Sequence, residues 1–551
     1  MGETTTIDSM DRLTELPLFI IHHIMSRLSA KEAAQTSILS KRWKALYTSF
    51  PVLDFHEPYT YFMGEDKFFR NPAIFIPDHL TKKFRKNLRK FIKFVDTSLV
   101  QFCELEISMQ KFRLLIGLLD VKRWSSVLDR WLGLVVENRV KELNFEVQTS
   151  RQTMYTLSQT IYFAKSITSL KLSGCKLELP CDEIRLYALK SLSLDKVCIT
   201  EEMLQKLMSR CSLLEDLHLS CLALKHIYVS KLHKLKIISI RESPDELQKV
   251  RSVEIVVPSL EQFSLDCNGS ILIDMVECPN LMVLELSRVL FTEHEFHVLI
   301  SNFPLLEDLS VNSCDLLERI TISSNLLKNL SICFCDNLKA IDIDALNLLS
   351  FSYCHNPIPV CSMNAPCPWK VELGTDEVDL DTQWYIKIKE FLAGSNQIED
   401  VILTLTSKKK HSFNFDECRE SSPSFPRVIG NLDVGIYEQS EHYAVLLDGL
   451  LEVCYPRTLT VFLDKDSSFI EWLFEKLMNV DASCCDSHDI KCWRHYLKDF
   501  KIGGFLMSHP EDQKPLCLDN FSLDNLKDAL PRYRFRTVRF HLNWGFPEFY
   551  K

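Results

Sequence analysis

Residue types that can do chemistry gather in a few places along this sequence of 551 residues. Cys485-x-x-His488-x-x-x-Cys492-x-x-His495 carries two thiols and two imidazoles, the donor types of a tetrahedral zinc site. All of them sit in one short run, whereas structural zinc sites join two separated ligand pairs, so no metal is expected. Glu293-His294-Glu295-Phe296-His297 has the flavour of a zinc-protease helix, but its histidines are three apart and the general-base geometry fails. Phosphate cradles need clustered glycines so that backbone N–H groups can approach the anion. Glycine is scarce here, 14 of 551 or about 2.5%, against a usual share of about 7%. The pairs Gly430 with Gly435 and Gly503-Gly504 fit no nucleotide fingerprint. No catalytic residue, no metal and no cofactor is therefore expected.

Charge and composition narrow the classes further. Lys plus Arg is 64, Asp plus Glu is 74, and the net charge is −10, which disfavours nucleic acid as a partner held by bulk charge. The chain is 46% apolar and 25% charged, ordinary values for a globular protein with a large core. Length alone suggests roughly three to four domains. The start, MGETTTIDSMDRLTELP, lacks the basic-then-apolar layout of a secretory signal. No stretch reaches the ~18 uninterrupted apolar residues of a membrane span. The 20 cysteines are thus expected to be reduced, in nucleus and/or cytoplasm, with no membrane partner. Met1-Gly2-Glu3-Thr4-Thr5-Thr6 matches a myristoylation signal only in part, as short motifs do by chance. The basic cluster Lys82, Lys83, Arg85, Lys86, Arg89, Lys90 and Lys93 interleaves with Phe84, Leu88, Phe91, Ile92 and Val95 at helical spacing. It reads as one helix with a buried stripe and solvated lysines; a nuclear-import or anion-binding patch is the other reading.

Such residues need elements to position them, and the elements show themselves by repetition. From about residue 140 the pattern L-x-x-L-x-L recurs, with its central apolar residue at Leu143, Leu170, Leu192, Leu217, Ile238, Phe263, Leu284, Leu309, Leu330 and Leu349. The intervals run from 19 to 27 residues, around the period of leucine-rich repeats. A shift of 92 residues brings Leu213-Leu214-Glu215-Asp216-Leu217 onto Leu305-Leu306-Glu307-Asp308-Leu309, and Thr200-Glu201 onto Thr292-Glu293. Two gapless stretches of this kind indicate duplicated units. Alternating apolar residues in each repeat should point inward from a short strand, and successive strands should stack into a parallel sheet on the concave side of a solenoid.

The return paths differ. Glu201–Cys211 and Glu293–Phe303 should be helices, the second opened by a capping box of Thr292 and Glu295. The runs from Leu224 to Val229 and from Leu317 to Ile322 alternate with a strand period. Cys175, Cys314, Cys335 and Cys354 lie three residues past the last inward apolar residue, with Asn268 at the equivalent place, and Cys211 and Cys278 lie three before the repeat's first leucine. They read as small buried packing residues.

The N-terminal segment from 11 to 55 reads DRLTELPLFIIHHIMSRLSAKEAAQTSILSKRWKALYTSFPVLDF. Pro17 suits a first helical position, and Ile20, Ile21, Ile24, Met25 and Leu28 form an apolar stripe behind it. A second amphipathic run, Lys31–Leu39, leads into Ser40-Lys41-Arg42-Trp43. A unit of this size cannot bury all its apolar surface; it either docks on a partner or packs on the rest of the chain. The order "LP", helix, small-residue turn, "TSxLSKRW", "P-x-LDF" resembles a plant F-box, and an F-box before leucine-rich repeats resembles the plant F-box/LRR family. Phe112-Arg113-Leu114, the Val121–Trp131 stretch and Val140-Lys141-Glu142-Leu143 match that family's lead-in to its first repeat, and Ile490–Asp499 resembles a segment of some members. The departure is Leu18-Phe19 after the proline, where an acidic residue is common.

The resemblance implies a non-catalytic substrate-recognition subunit of an SCF, that is, cullin-RING, ubiquitin ligase. Its F-box would bind the Skp-type adaptor through Leu16, Pro17, Ile20, Ile24, Leu28, Leu39, Ser40, Trp43 and Leu46, some as contacts and some as the F-box's own core. Its repeats would hold a protein target. A repeat scaffold or ligand sensor without a ubiquitin role is the alternative. The expected organisation is α/β: a helical F-box at 11–55, a helical connector and cap at 56–135, and leucine-rich repeats at 136–354. An irregular segment with degenerate repeats, or a small α/β cap, should fill 355–551. There Val401-Ile-Leu403, Leu432-Asp-Val434, Leu459-Thr-Val461 and Val538-Arg-Phe540 look like strands. Residues between inward positions should face the target: Asn144, Lys171, Ser193, His218, Ser239, Ser264, Glu285, Ser310, Ser331 and Ser350, flanked by Asp195, Asp216, Arg241, Asp266, Asp308 and Asn312. A column of short hydroxyls lets a partner approach closely, although serine also simply suits crowded strands. The acidic flank favours basic groups on the target.

Overall fold

The computed structural model describes residues 16–28, 30–39, 41–56, 78–149, 153–179, 184–222, 224–242, 249–354, 360–365, 369–375, 380–394, 398–405, 412–421, 425–436, 443–463, 472–473, 476–478, 492–508, 515–518 and 534–546. It divides into two compact units, Met1–Cys278 and Pro279–Lys551.

The first unit opens with helices α1 (Leu18–Ser26), α2 (Ala30–Thr36) and α3 (Lys41–Thr48). Pro17 occupies the cap itself, one position earlier than the sequence suggests, and its carbonyl accepts the N–H groups of Ile20 and Ile21. Ile21, Met25, Trp43 and Phe50 form the core of this small bundle, with Leu16, Leu46 and Val52 packed on it. Strand β1 (Val52–His56) then pairs in parallel with β2 (Lys111–Gly117), which pairs with β3 (Glu142–Gln148). The parallel ladder therefore starts ahead of residue 136. The L-x-x-L-x-L count does not reveal it because Leu53, Phe55, Phe112 and Leu114 follow no leucine repeat. Helices α4 (Asp78–Cys103) and α5 (Val121–Glu137) connect these strands. On α4, Leu88, Phe91, Ile92 and Val95 are buried while Lys83, Arg85, Lys86, Arg89, Lys90 and Lys93 are exposed.

After the short pair β4 (Tyr155–Thr156) and β6 (Cys175–Lys176), which flank β5 (Ser169–Ser173), the ladder runs on. It continues through β7 (Ser191–Cys198), β8 (Asp216–Leu222), β10 (Ile237–Arg241) and β12 (Gln262–Gly269). Leu143, Leu170, Leu192, Leu217, Ile238 and Phe263 stand in one register, all buried. The return segments alternate in kind. Helix α6 (Glu201–Met208) is capped by Thr200, whereas β9 (His226–Ser230), β11 (Ser252–Val256) and β13 (Leu272–Asp274) form a second parallel sheet.

The second unit repeats the scheme. Strands β14 (Val283–Val289), β15 (Asp308–Asn312), β17 (Asn329–Cys333) and β19 (Ser350–Cys354) are parallel, with Leu284, Leu309, Leu330 and Phe351 in register. The inward residue of β19 is thus Phe351, not Leu349. Leu349 holds the column of Glu307 and Lys328, as its N–H to the Lys328 carbonyl shows, and it is 52% exposed. Cys354 accordingly belongs beside Cys333 rather than in the Cys314 and Cys335 position. Return strands β16 (Arg319–Ser323), β18 (Ala340–Asp344) and β20 (Val360–Asn364) make their own sheet. Helix α7 (Glu293–Ser301) carries the expected capping box: Glu295 N–H reaches Thr292 Oγ1 at 3.3 Å and Thr292 N–H reaches Glu295 Oε2 at 2.8 Å.

Beyond 354, where an irregular segment with degenerate repeats or a small α/β cap is expected, the described residues extend the ladder. Strand β21 (Trp369–Thr375) pairs with β19, then β22 (Ile398–Leu405), β23 (Arg427–Ile436) and β24 (Cys454–Leu463) follow in parallel, carrying the buried Val371, Val401, Leu432 and Leu459. Longer returns through α8 (Thr382–Gly394), α9 (Phe415–Ser421) and α10 (Tyr443–Val453) hide the period in sequence. A short helix, α11 (Trp493–Tyr496), precedes β25 (Leu497–Ser508). Beyond it the direction changes: β26 (Pro515–Leu518) is antiparallel to β25, and β27 (Arg534–Trp544) is antiparallel to β24 and β25.

One backbone device recurs at the strand ends. Two residues past the last inward side chain stand Gly174, Lys196, Arg288, Ser313 and Phe334, with φ of 67°, 50°, 60°, 52° and 53°. A left-handed residue costs about 1–2 kcal/mol when it bears a Cβ. At Gly174 a Cβ would stand 2.1 Å from the Val147 carbonyl oxygen, so only glycine fits. Elsewhere the turn is held by the neighbouring strand: Ser313 N–H bonds the Cys333 carbonyl at 2.9 Å and Phe334 N–H the Cys354 carbonyl at 2.7 Å. One residue further, the thiols of Cys314 and Cys335 donate to the carbonyls of Leu286 and Val311 at 3.9 and 4.0 Å. A buried thiol at this position thus satisfies a carbonyl of the preceding repeat.

Candidate functional site

The helical bundle sorts its own residues. Trp43 is only 6% exposed, and Leu16 and Leu46 lie against the same core. These three hold the bundle together from within. Ile20 and Leu28 are half-buried, Pro17 and Ile24 are exposed, and Ser40 lies outside the described residues. Leu39 is 68% exposed. The most exposed large side chains were not singled out by the helical stripe: Phe19 at 70% and Ile38 at 82%, with Leu18 and Tyr47 also on the surface. A stripe at helical spacing finds core positions, whereas Leu18 and Phe19 lie off it. Their signal was the pair of apolar residues directly after Pro17.

His22 sits at the seam of the bundle. Its Nε2 lies 3.3 Å from the Leu46 carbonyl oxygen and 3.5 Å from Ser49 Oγ, and its ring meets Phe50 edge-on at 5.6 Å. Burial lowers its pKa from 6.5, and the bond to Leu46 only partly opposes this. Beside the bundle, a cavity of about 720 Å³ opens toward α4 and the first strands, lined among others by Met25, Leu28, Phe50, Phe55, Phe94 and Phe102.

The ladders present the opposite chemistry on the side away from their leucines. In the first unit Asn144, Lys171, Ser193, His218, Ser239 and Ser264 share one register column. Asp195 accepts the Ser173 hydroxyl at 3.1 Å, and Arg241 pairs with Asp266 at 3.6 Å. In the second unit Glu285, Ser310 and Ser331 share a column whose next member is Ser352 rather than Ser350, with Asn312 in the adjoining column. The expected target-facing residues therefore form two sets, one on each unit. The second unit adds a charged recess of about 430 Å³, lined among others by Lys370, Asp400, Asp433, Thr460, Arg539 and His541. The sequence discloses four of its strands, at Val401–Leu403, Leu432–Val434, Leu459–Val461 and Val538–Phe540, but not the recess, because only the strand register brings their charged residues together. Of the run considered for zinc, Cys492 is buried, while Cys485 and His488 lie outside the described residues.

The comparisons with known proteins agree with this division. The F-box domain matches residues 13–53, and the family described as "At1g61320/AtMIF1, LRR domain" matches 104–278 and 271–367. Among curated relatives from Arabidopsis thaliana, Putative F-box/LRR-repeat protein At5g41840 is 32% identical over 220 residues, which is 38% of this chain and 37% of the relative. F-box/FBD/LRR-repeat protein At5g44980 is 30% identical over 213 residues, 38% of this chain and 42% of the relative. FBD-associated F-box protein At5g56370 is 26% identical over 280 residues, 50% and 54% respectively. The chain spans about two fifths of the length of the first two of these relatives. A helical F-box ahead of parallel leucine-rich repeats defines an F-box/LRR protein. This chain belongs to that family, in its plant form.

Proposed function

We propose that the chain is a non-catalytic substrate-recognition subunit of an SCF (cullin-RING) ubiquitin ligase. Its F-box binds a Skp-type adaptor, and its ladders hold a protein target, in nucleus and/or cytoplasm. The observation that carries this reading is the F-box itself: its four-residue core is closed by Trp43 and Phe50, yet Phe19, Ile38 and Leu39 stand in solvent. Large apolar groups left outside a closed core gain free energy when a partner covers them, about 25 cal/mol per Å² removed from water. Ubiquitin transfer by other subunits then needs only that the target be held in place, so this chain supplies proximity rather than a nucleophile.

The test is capture of the full chain on an immobilised Skp-type adaptor. Phe19→Asp with Leu39→Asp should weaken binding at least ~100-fold while leaving circular dichroism unchanged, since each buried apolar contact is worth about 1.5–3 kcal/mol. Full binding by the folded double variant would sink the reading. The adaptor-facing set is Pro17, Phe19, Ile24, Ile38 and Leu39, of which the test changes Phe19 and Leu39, with Trp43, Leu16 and Leu46 acting through the bundle's shape.

A further inference from the structure

The open face of the second unit carries two thiols side by side. Cys333 and Cys354 hold matching register positions on the adjacent parallel strands β17 and β19. Each alternates with a buried neighbour, Ile332 and Tyr353, so both point to the same, partly exposed side. Paired strands lie about 4.8 Å apart, inside the Cα separation of roughly 4.4–6.8 Å that a disulfide spans. Ser331 Oγ lies 3.7 Å from Cys333 Sγ on the same face. On the far side the next strand places Gly374 opposite Cys354, where a Cβ would come within 2.9 Å of Cys354 Sγ. Glycine at this point gives the Cys354 sulfur room to move, on the side away from Cys333.

Proton sharing separates the two sulfurs. The hydrogen bond from Cys354 draws the Cys333 thiol below its ordinary value, against the opposing effect of burial, and the same bond raises Cys354. Several other described thiols behave differently. Desolvation pushes Cys175, Cys211 and Cys314 up to about 12 and Cys335 up to about 11. Thiols of that kind are inert, because the thiolate is the reactive form.

We propose that Cys333 and Cys354 are a reversible dithiol–disulfide pair on the open face of the ladder, oxidised by hydrogen peroxide. The Cys333 thiolate attacks one peroxide oxygen; the O–O bond breaks, a sulfenic acid forms, and the departing hydroxide takes a proton to become water. The Cys354 sulfur then attacks the sulfenic sulfur, the S–S bond forms, and the S–O bond breaks. The leaving hydroxide takes the Cys354 proton as a second water. Two thiols and one peroxide become one disulfide and two waters, and a small dithiol reverses the step. The reaction ties β17 to β19 and removes both S–H groups from the column that also contains Asn312.

Peroxide treatment of the full chain, followed by alkylation and peptide sequencing without reduction, tests this. Fragment ions must place the link, because Cys335 shares a tryptic peptide with Cys333. A Cys333–Cys354 cross-link should appear, vanish with dithiothreitol, and form at least ~10-fold faster than any oxidation of Cys314 or Cys335, in line with thiolate control of reactivity. Cys354→Ser should abolish the link and leave Cys333 trapped by dimedone as its sulfenic acid. Cys333→Ser should leave Cys354 slow to oxidise. Oxidation of the pair no faster than of the buried thiols overturns the proposal, as does a link from Cys333 to Cys335 in place of Cys354.

Discussion

The F-box and the ladders solve the same problem in opposite ways. Each begins with more apolar surface than one helix or strand can hide. A ladder strand has a neighbour on either side, so Leu217 and Leu309 are covered and serine is left outside. The F-box has three short helices and closes its core with four side chains, so Phe19, Ile38 and Leu39 remain uncovered. Stacking supplies enough partners within the chain, and a small bundle has to find them elsewhere. The two surfaces therefore differ in chemistry, apolar on the bundle and polar on the ladders.

The largest expected effect probes how little the F-box has in reserve. Trp43→Ala should cost about 3–5 kcal/mol, enough to unfold the bundle while the ladder stays intact. Hydrogen exchange should show protection lost from 18–50 and kept in β5, β7 and β8; uniform loss would erase the contrast. Next in size is the capping box. Thr292→Ala should cost about 1 kcal/mol by thermal unfolding, within the ~0.5–2 kcal/mol range for caps. Thr200→Ala should cost less, because the Thr200 hydroxyl accepts from Met203 N–H, at 3.2 Å, and Met203 cannot return the bond as Glu295 does. Equal costs would show that the reciprocal half of the box contributes nothing. Ser331→Ala should change stability by no more than ~0.5 kcal/mol, since its side chain lies on the partly exposed face and not in the core; a larger loss would make the serine column structural.

The smallest effect is one of pH. The fold favours neutral His22, so its contribution is intact above pH 6.5. Below that value the unfolded chain takes up the proton first, and F-box stability falls as pH drops toward the lowered folded pKa. His22→Asn should flatten that part of the profile, measured by chemical denaturation of the full chain between pH 7 and 5, a range of about two units around the ordinary histidine value.

Most of the ladder was legible because leucine at a fixed spacing survives in the sequence of each turn. Where aromatic residues replace leucine, legibility slips: Leu349 fits the pattern two residues before the true inward Phe351, and only the register with Leu330 corrects it. Strands β1 and β2 were hidden because α4 and α5 separate them from their neighbours by long returns. Of β21 to β24 only β21 left no mark: the short runs Val401–Leu403, Leu432–Val434 and Leu459–Val461 disclose β22, β23 and β24, although long helical returns hide their period. At the F-box the motif was plain, but the division between core and surface was not. Ile21 and Phe19 are equally apolar in sequence, and only packing tells them apart.

The left-handed residue at the strand ends has a consequence for how such a chain can change. Gly174, Lys196, Arg288, Ser313 and Phe334 share a conformation but no side-chain chemistry. What recurs is the count from the last inward residue to the turn, while the paths home range from helix to strand. Length is thus free on the outer side of each turn and fixed on the inner side. Segments can be gained or lost in the returns without moving the polar column of the strands, whereas one residue added inside β15 would swing every later side chain of that strand to the other face. The ladder is built to tolerate insertion at its back while keeping its front in step.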